Sequence, residues 1–482
     1  MKKSNLFKAI GIVILFYVAF TWIVPIIYSI AGLEGEVSNQ IGLVSFISVI
    51  LETFSGFGTT ILYILLVGGF YGVLKATGAY EALMDKLSSK TNGKEKCTLI
   101  TIIVVLAVLA SIAGLDLAFL IVYPILIGLI VKMGYDKLVA VASTVGATLV
   151  GMYGATLAGT LYGANNQMLQ LKTYDNILVK VILFVLGLAA LIAMVIIYNN
   201  KNNLPKTEKP VKKADKKETK KDAKKSAPKK TLKTGVSAMP ALIVCGLLFL
   251  VVVVGTINFG GIFGTDAEGM TWLVKAHNAW TEWTIGNFPV LGKLFGGVEA
   301  LGTWINPNRF QTYSLLLVIA MLIIKFCYRT KTEDAFEGFV DGIKSFIIPA
   351  MLAILAYSVF VFVYYNPTIS VVTGNLLTKK FNVLLSGLYV LINSVFYVDY
   401  YYLAYSLLYG TVYTDAQSLS ILSVMFTSLY SLVMLIAPTS VLLMVTLSIS
   451  DVKYTDWIKF IWKLVLVLFV IALIVLSIMK MV

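Results

Sequence analysis

Two short stretches decide the fold: LDLAFLIVY at residues 115–123 and VDYYYLAYS at residues 398–406. Each places one aspartate in a largely apolar run, Asp116 in the first and Asp399 in the second. The two aspartates lie 283 residues apart. Apolar segments resemble each other by chance, so the weight of this match depends on the sequence around it.

A second pair of matching stretches follows the first pair at the same offset. Residues 148–156 read TLVGMYGAT and residues 431–439 read SLVMLIAPT, and the last threonine of each lies 40 residues after its aspartate. Two flanking apolar segments recur at nearly this offset: 57–77 and 172–198 in the first half, 342–365 and 455–480 in the second. Four elements in one order at one offset predict an internal duplication.

The composition requires a lipid environment for most of the chain. Of the 482 residues, 59% are apolar and only 13% are charged, whereas soluble proteins carry about 25% charged residues. These values argue against a soluble enzyme, a disordered chain and a small disulfide-rich module. A single histidine, His277, argues against a His-based metal site or catalytic triad. We therefore predict an all-α polytopic membrane protein.

Charge and hydropathy divide the chain into five parts. Residues 201–233 hold fourteen lysines against four acids, a surplus of ten within a net charge of +14. This run has no aromatic residues for base stacking, so we interpret it as a cytoplasmic linker and expect no nucleic-acid partner. The predicted parts are an N-terminal helix with an interfacial segment (1–56), transport repeat 1 (57–198), the Lys-rich linker (199–235), helices with an outer interfacial segment (236–341) and transport repeat 2 (342–482).

Lysine placement sets the predicted orientation. The basic clusters at 86–96, 201–233 and 329–331 belong in the cytoplasm, together with the N-terminus. An odd number of crossings then separates segment 57–77 from segment 342–365, so the two repeats are predicted to be inverted and the C-terminus to lie outside. Inverted repeats are typical of secondary transporters.

Each repeat is predicted to contain one re-entrant hairpin and one broken helix. The arms around Asp116 span about 16 residues, roughly 24 Å at 1.5 Å per residue, which is short for a full crossing. The first hairpin would turn at residues 114–116 and the second at residues 393–399. Residues 151–159 and 437–440 would interrupt two crossing helices and expose backbone groups to a ligand.

The predicted site combines the two acids with neutral groups near these breaks. A carboxylate deep in a bilayer needs a partner, water or a proton, so Asp116 and Asp399 are candidate Na⁺ or H⁺ ligands unless they lie solvated at an interface. Neutral oxygens and glycines complete the set: Ser111, Gly114, Gly154, Thr156, Asn393, Ser394, Thr439 and Ser440. Hydroxyls of this kind also bond to their own helix backbone, and such glycines also serve packing. The tyrosines at 400–402 form either an interfacial belt, which we favour, or a wall that stacks on a substrate.

The two arginines of the chain, Arg309 and Arg329, both flank predicted helices. We therefore expect no buried guanidinium to bind a substrate carboxylate in a bidentate manner. A dicarboxylate would then rely on helix N-termini and hydroxyl groups. This expectation favours a substrate with an amino group, or coupling to Na⁺ or H⁺.

Three longer motifs resemble a known carrier family. Residues 65–78 read LLVGGFYGVLKATG, residues 436–444 read IAPTSVLLM and residues 451–460 read DVKYTDWIKF. Together they resemble the C4-dicarboxylate anaerobic carrier-like family of the ion transporter superfamily, which includes proposed basic amino acid antiporters. The resemblance covers nearly the whole chain outside the lysine linker. It implies a secondary carrier with two re-entrant hairpins and two broken helices that moves its substrate by an elevator-like shift.

The resemblance also implies positions for the site. It places Ser111, Gly114 and Asp116 at the inner hairpin tip and residues 438–440 at the second helix break. The chain departs from the family pattern at residues 158–159, which are Ala-Gly where the family often has Asn-Pro. It departs again around the second aspartate, where tyrosines replace a Ser/Gly-rich hairpin. Because of these departures, the substrate is not inherited from the family.

The sequence thus predicts a secondary active transporter of a small organic anion or amino acid in a bacterial-type plasma membrane. It would be coupled to Na⁺ or H⁺, or act as an exchanger; the alternative is a cation/proton antiporter. A membrane enzyme would need a catalytic constellation that this sequence does not show. We expect no cofactor apart from the coupling ion. The expected partners are the substrate, the bilayer and a second copy of the chain in a homodimer.

Overall fold

A computed structural model describes most of the chain. The described residues are 2–32, 40–161, 169, 171–205, 235–286, 288–294, 297–306, 308–378, 380–398, 400–408, 413 and 415–481. Within these ranges the regular elements are helices and no strand is formed. The predicted all-α fold is therefore confirmed.

Nine helices of the described ranges are long and apolar enough to cross a membrane. They are α1 (Lys2–Ala31), α3 (Gly58–Ala76), α5 (Glu95–Ala113), α9 (Ile177–Lys201), α10 (Met239–Thr256), α14 (Arg309–Cys327), α15 (Thr332–Tyr365), α19 (Ala416–Met434) and α21 (Tyr454–Met481). Many of their apolar side chains are exposed, as lipid contact requires: Leu15 is 68% exposed and Leu178 is 70% exposed. The protein is a multi-pass membrane protein.

Shorter helices occupy the connections and the interior. They are α2 (Leu43–Gly56), α4 (Ala79–Thr91), α6 (Tyr123–Lys132), α7 (Lys137–Val141), α8 (Ala147–Tyr153), α11 (Phe259–Phe263), α12 (Trp272–Thr281), α13 (Val290–Leu294), α16 (Thr368–Gly374), α17 (Val383–Ser394), α18 (Tyr400–Leu408) and α20 (Val441–Ser450). Helices α2 and α12 lie in the two segments predicted to be interfacial. Both carry exposed apolar side chains, such as Leu43 at 78% and Trp272 at 66%.

The first helices of the two halves, α3 and α15, cross in close contact. A Cβ atom at Gly72 would lie 2.0 Å from the carbonyl oxygen of Gly338, and one at Gly342 would lie 2.2 Å from the carbonyl oxygen of Gly68. Only glycine permits backbones to approach this closely. The higher-numbered glycine of one helix meets the lower-numbered glycine of the other, so the two helices run antiparallel. Inverted repeats require this relation between equivalent helices, although the inverted repeat itself stays a prediction.

Equivalent caps begin the two interrupted helices. The Asp136 carboxylate accepts a hydrogen bond of 2.8 Å from the Val139 N–H at the start of α7. The Asp415 carboxylate accepts one of 2.8 Å from the Ser418 N–H at the start of α19. Such a cap stabilises a helix by about 1 kcal/mol. The two caps lie 279 residues apart, close to the offset of the predicted duplication.

Helix ends displace two of the predicted segment boundaries. Helix α15 is continuous from Thr332 to Tyr365, so the boundary between residues 341 and 342 falls inside it. Helix α9 continues to Lys201, past the predicted start of the linker at residue 199. Hydropathy detects only the apolar part of each helix, and the polar first or last turns extend beyond it. Most of the predicted linker, residues 206–234, lies outside the described residues.

Candidate functional site

The inner hairpin turns where the sequence predicts. Helix α5 ends at Ala113, and Gly114 adopts the left-handed conformation with φ of 66°. A Cβ atom at Gly114 would lie 1.8 Å from Oγ1 of Thr160, so the turn requires glycine twice over. Residues Leu117–Ile121 then form a 3₁₀ helix. Asp116 therefore lies at the non-helical tip of the hairpin.

The first helix break is tied to this tip by hydrogen bonds. Helix α8 ends at Tyr153, within the stretch predicted to break. The Thr156 backbone N–H donates to the Ser111 carbonyl at 2.9 Å, and Oγ of Ser111 donates to the Gly154 carbonyl at 2.9 Å. The hydroxyl oxygens of Ser111 and Thr156 are 3.1 Å apart. These predicted site residues thus hold the hairpin against the break.

The second half contains a corresponding tie. Helix α19 ends at Met434 and the chain resumes as a helix at Val441, so residues 437–440 lie in a break as predicted. Oγ1 of Thr439 donates to the Val395 carbonyl at 2.6 Å, just beyond the end of α17. In the first half, Oγ1 of Thr156 donates to the Ser111 carbonyl at 3.2 Å.

A cavity lies between the inner hairpin tip, the start of α14 and the second helix break. Its volume is about 70 Å³, several times the roughly 10–15 Å³ that one water needs by the same measure. The polar part of its lining consists of Asp116, Thr160, Arg309, Tyr400, Tyr430 and Ser440, among other residues. Both halves of the chain, and the segment between them, therefore contribute to one cavity.

Arg309 shows that the expectation of no buried guanidinium was wrong. Its side chain is only 9% exposed, and Nη2 lies 3.3 Å from Oδ2 and 3.5 Å from Oδ1 of Asp116. Nη1 donates to the Asn306 carbonyl at 3.2 Å, and the guanidinium lies 4.8 Å from the centroid of the Phe310 ring. Arg309 does begin a helix, as expected, but its long side chain extends from the helix end into the protein interior.

The Asp116–Arg309 pair is long for an ion pair. Charge-assisted N–H···O bonds are usually about 2.7–2.9 Å, and both distances here exceed that range. The Asp116 side chain is 33% exposed, so this carboxylate remains partly hydrated while the guanidinium is buried. A buried cation without a counter-charge is costly, and Asp116 supplies the counter-charge.

Two predicted site residues of the second half lie in helix packing. Asn393 is fully buried, accepts a hydrogen bond from Oγ of Ser370 at 3.0 Å and donates to Oγ1 of Thr373 at 2.9 Å. Ser394 Oγ donates to the Val390 carbonyl of its own helix at 2.7 Å. These bonds join α16 to α17 and saturate groups that were expected to meet a ligand.

The remaining predicted residues divide between the cavity and its surroundings. Of those that the structure describes, Asp116 and Ser440 line the cavity. Gly154 serves packing, because a Cβ atom there would lie 2.2 Å from the backbone nitrogen of Phe184 in α9. Asp399 lies outside the described residues, although its neighbours Val398 and Tyr400 line the cavity.

The tyrosine cluster contributes a wall to the cavity. Tyr400 is 4% exposed and its ring centroid lies 5.3 Å from that of Tyr430. The Tyr430 hydroxyl donates to the Val398 carbonyl at 2.7 Å, which fixes this ring. Tyr401 also lines the cavity. The interfacial belt that we favoured does not fit Tyr400, whereas the alternative of a wall does.

Comparison with known proteins adds a family. The family model of the C4-dicarboxylate anaerobic carrier matches residues 12–400 and 418–481. An uncharacterized protein of Haemophilus influenzae is 28% identical over 96 residues, which cover 20% of this chain and 19% of that relative's length. The crystal structure of the Alcanivorax borkumensis YdaH transporter covers 96% of this chain and 97% of its own, with 12% identity and a TM-score of 0.42. A TM-score this low does not establish a shared fold.

Proposed function

The chain belongs to the C4-dicarboxylate anaerobic carrier family, and on this premise we propose that it is a secondary active transporter of a small organic anion. The family match confirms the resemblance that the sequence motifs carry, and it assigns the chain to carriers instead of enzymes. We place the transporter in a bacterial-type plasma membrane, with the N-terminus in the cytoplasm and the C-terminus outside.

The Arg309 guanidinium in the central cavity is the observation that carries this proposal. A guanidinium presents several N–H donors in a plane and suits a carboxylate better than any other side chain does. Arg309 is held by the Asn306 carbonyl and the Phe310 ring, so its orientation is set before a ligand arrives. A carboxylate of the substrate would bind there, with Ser440 and the Tyr400–Tyr430 pair beside it.

The two helix breaks supply the route for transport. Broken helices near the middle of a membrane offer backbone groups and helix ends to a substrate, and they allow hairpins to move without unfolding a continuous helix. The ties Ser111–Thr156 and Thr439–Val395 join each hairpin to its own break. We propose that each hairpin and its break move together, in an elevator-like shift relative to the glycine-packed α3–α15 pair.

Coupling to Na⁺ or H⁺, or exchange against a second substrate, completes the proposal. Asp116 supplies a partly hydrated carboxylate at the cavity and is a candidate ligand for either ion. Asp399 keeps the same role as a proposal from the sequence alone. A homodimer also remains a proposal.

A cation/proton antiporter is the second candidate function. In that case Asp116 would bind only Na⁺ or H⁺ and no organic substrate would move. The position of Arg309 disfavours this function, because a carboxylate that already faces a guanidinium at 3.3 Å attracts a metal cation less.

Uptake into proteoliposomes tests the proposed function. The purified protein would be offered radiolabelled succinate, aspartate, ornithine and acetate, each with no gradient, a Na⁺ gradient, a pH gradient or internal substrate. We expect saturable uptake of at least one carboxylate, stimulated by one of the three driving conditions. Na⁺/H⁺ exchange, followed by an internal pH dye without any uptake of carboxylate, would instead establish the antiporter.

A further inference from the structure

The ion pair at the cavity joins residues from two separate elements. Arg309 begins α14, which packs along α3: the Phe310 and Tyr313 rings lie 5.3 Å and 5.9 Å from the Tyr63 ring. Asp116 lies on the hairpin tip, between α5 and the 3₁₀ helix. The guanidinium is thus fixed by its own surroundings, independently of the hairpin.

The Asp116 carboxylate is less constrained than its partner. It occupies the cap position of the 3₁₀ helix but accepts no capping hydrogen bond from that helix. Within the described residues, its hydrogen bonds come from Nη2 of Arg309, at 3.3 Å and 3.5 Å. Because the side chain is also one-third exposed, it can rotate away from the guanidinium into water without breaking other hydrogen bonds.

We propose that Asp116 is an internal competitor of the substrate for Arg309. On binding, the substrate carboxylate replaces the Asp116 carboxylate at the guanidinium; on release, Asp116 returns and displaces the substrate. This inference rests on the proposed function, since it requires a substrate with a carboxylate.

Exchange of one carboxylate for another keeps the charge around the guanidinium balanced at each step. A buried guanidinium without Asp116 would hold an anion tightly, because leaving the cation unpaired is costly. A carrier gains nothing from such tight binding, since it must release the substrate in every cycle. Asp116 lowers the affinity and, by the same amount, stabilises the empty site. Its substitution should therefore change binding and turnover in opposite senses.

The Asp116→Asn substitution tests this competition. The amide keeps the size of the side chain and removes its charge, so the affinity for succinate should rise about tenfold, the effect of losing one charged hydrogen-bonding competitor. The maximal rate of uptake should fall sharply, because the substrate now leaves an unpaired guanidinium. Equilibrium binding of radiolabelled succinate to the full-length protein in detergent gives Kd, and proteoliposome uptake gives the rate. A purely structural Asp116 would lower the rate with Kd unchanged or raised, which would overturn the proposal.

Two further variants make the result decisive. Asp116→Glu keeps the charge on a longer side chain that can reach the guanidinium more closely, so Kd should rise several-fold while transport continues; an unchanged or lower Kd would contradict competition even if Asp116→Asn does not fold. Asp85→Asn removes a surface carboxylate that pairs with Lys132 and should leave both Kd and rate unchanged. If the wild-type protein binds and transports none of the carboxylates offered, the proposed function fails. If it transports succinate but Asp116→Asn binds it no more tightly, only the competition fails.

Discussion

Replacing Arg309 tests the site most directly. Hydrogen bonds to a charged group contribute about 1.5–3 kcal/mol, and we assign about 2 kcal/mol to Arg309 because its partner Asp116 is one-third exposed and the contacts are 3.3–3.5 Å. Arg309→Gln should therefore weaken succinate binding about 30-fold. Arg309→Lys keeps the charge but loses the planar pair of donors, and we expect a loss of about tenfold. The measurements are Kd in detergent and the initial rate of uptake, normalised to the protein in the membrane.

Arg329 offers a matched control, because it is the other arginine of the chain. It is exposed and lies between α14 and α15, away from the cavity. Arg329→Gln and Arg329→Lys should leave Kd and rate at wild-type values. The thermal unfolding midpoint of each variant separates a binding defect from a folding defect. Wild-type Kd in a folded Arg309→Gln variant would refute the assignment of the guanidinium to the substrate.

Three further predictions concern the architecture. Gly72→Ala should destabilise the protein by about 1–3 kcal/mol and lower its unfolding temperature, because the added methyl group meets backbone at 2.0 Å; Gly11→Ala, with no atom within 4 Å, should not. Deletion of residues 206–230 should leave uptake nearly intact, because this polar stretch has no apolar surface to bury; lost uptake at normal abundance would indicate a direct role. A reporter fused after Val482 should be inactive if it functions only in the cytoplasm, and its activity would contradict the predicted orientation.

The sequence predicts most of the fold because lipid imposes a simple rule on it. Long apolar runs must become helices, so hydropathy alone locates the long helices. The recurrence of motifs at one offset goes further, since it locates the turn at Gly114 and the breaks near Thr156 and Thr439. Helix ends are less predictable, as the polar first turns of α15 show. Hydropathy contains no signal for polar turns that pack against another helix by glycine contact, such as those around Gly338.

The candidate site is only partly predictable, and the reasons differ from residue to residue. Asp116 is found because a charge in an apolar run is conspicuous. Asn393 resembles it in the sequence, but its hydrogen bonds to Ser370 and Thr373 use its polar groups within the fold. The sequence does not contain those partners in any recognisable spacing, since tertiary packing alone brings them together. Tyr400 stands beside a predicted acid, and that adjacency is the signal by which a wall could have been preferred over a belt.

Arg309 escaped the sequence analysis for a reason that bears on how the site works. The argument from duplication compares the two repeats, and Arg309 belongs to neither of them: it lies in the connecting part, residues 236–341. No residue at the repeat offset could therefore point to it. The cavity takes Asp116 from the first repeat and Ser440 from the second, while its guanidinium comes from α14 between them. Two repeats related by symmetry would offer a substrate two equivalent environments, but a single arginine from outside both repeats makes the cavity asymmetric. A substrate with one carboxylate at Arg309 would thus have a defined orientation between the two hairpins, and this orientation would follow from a part of the chain that the duplication does not include.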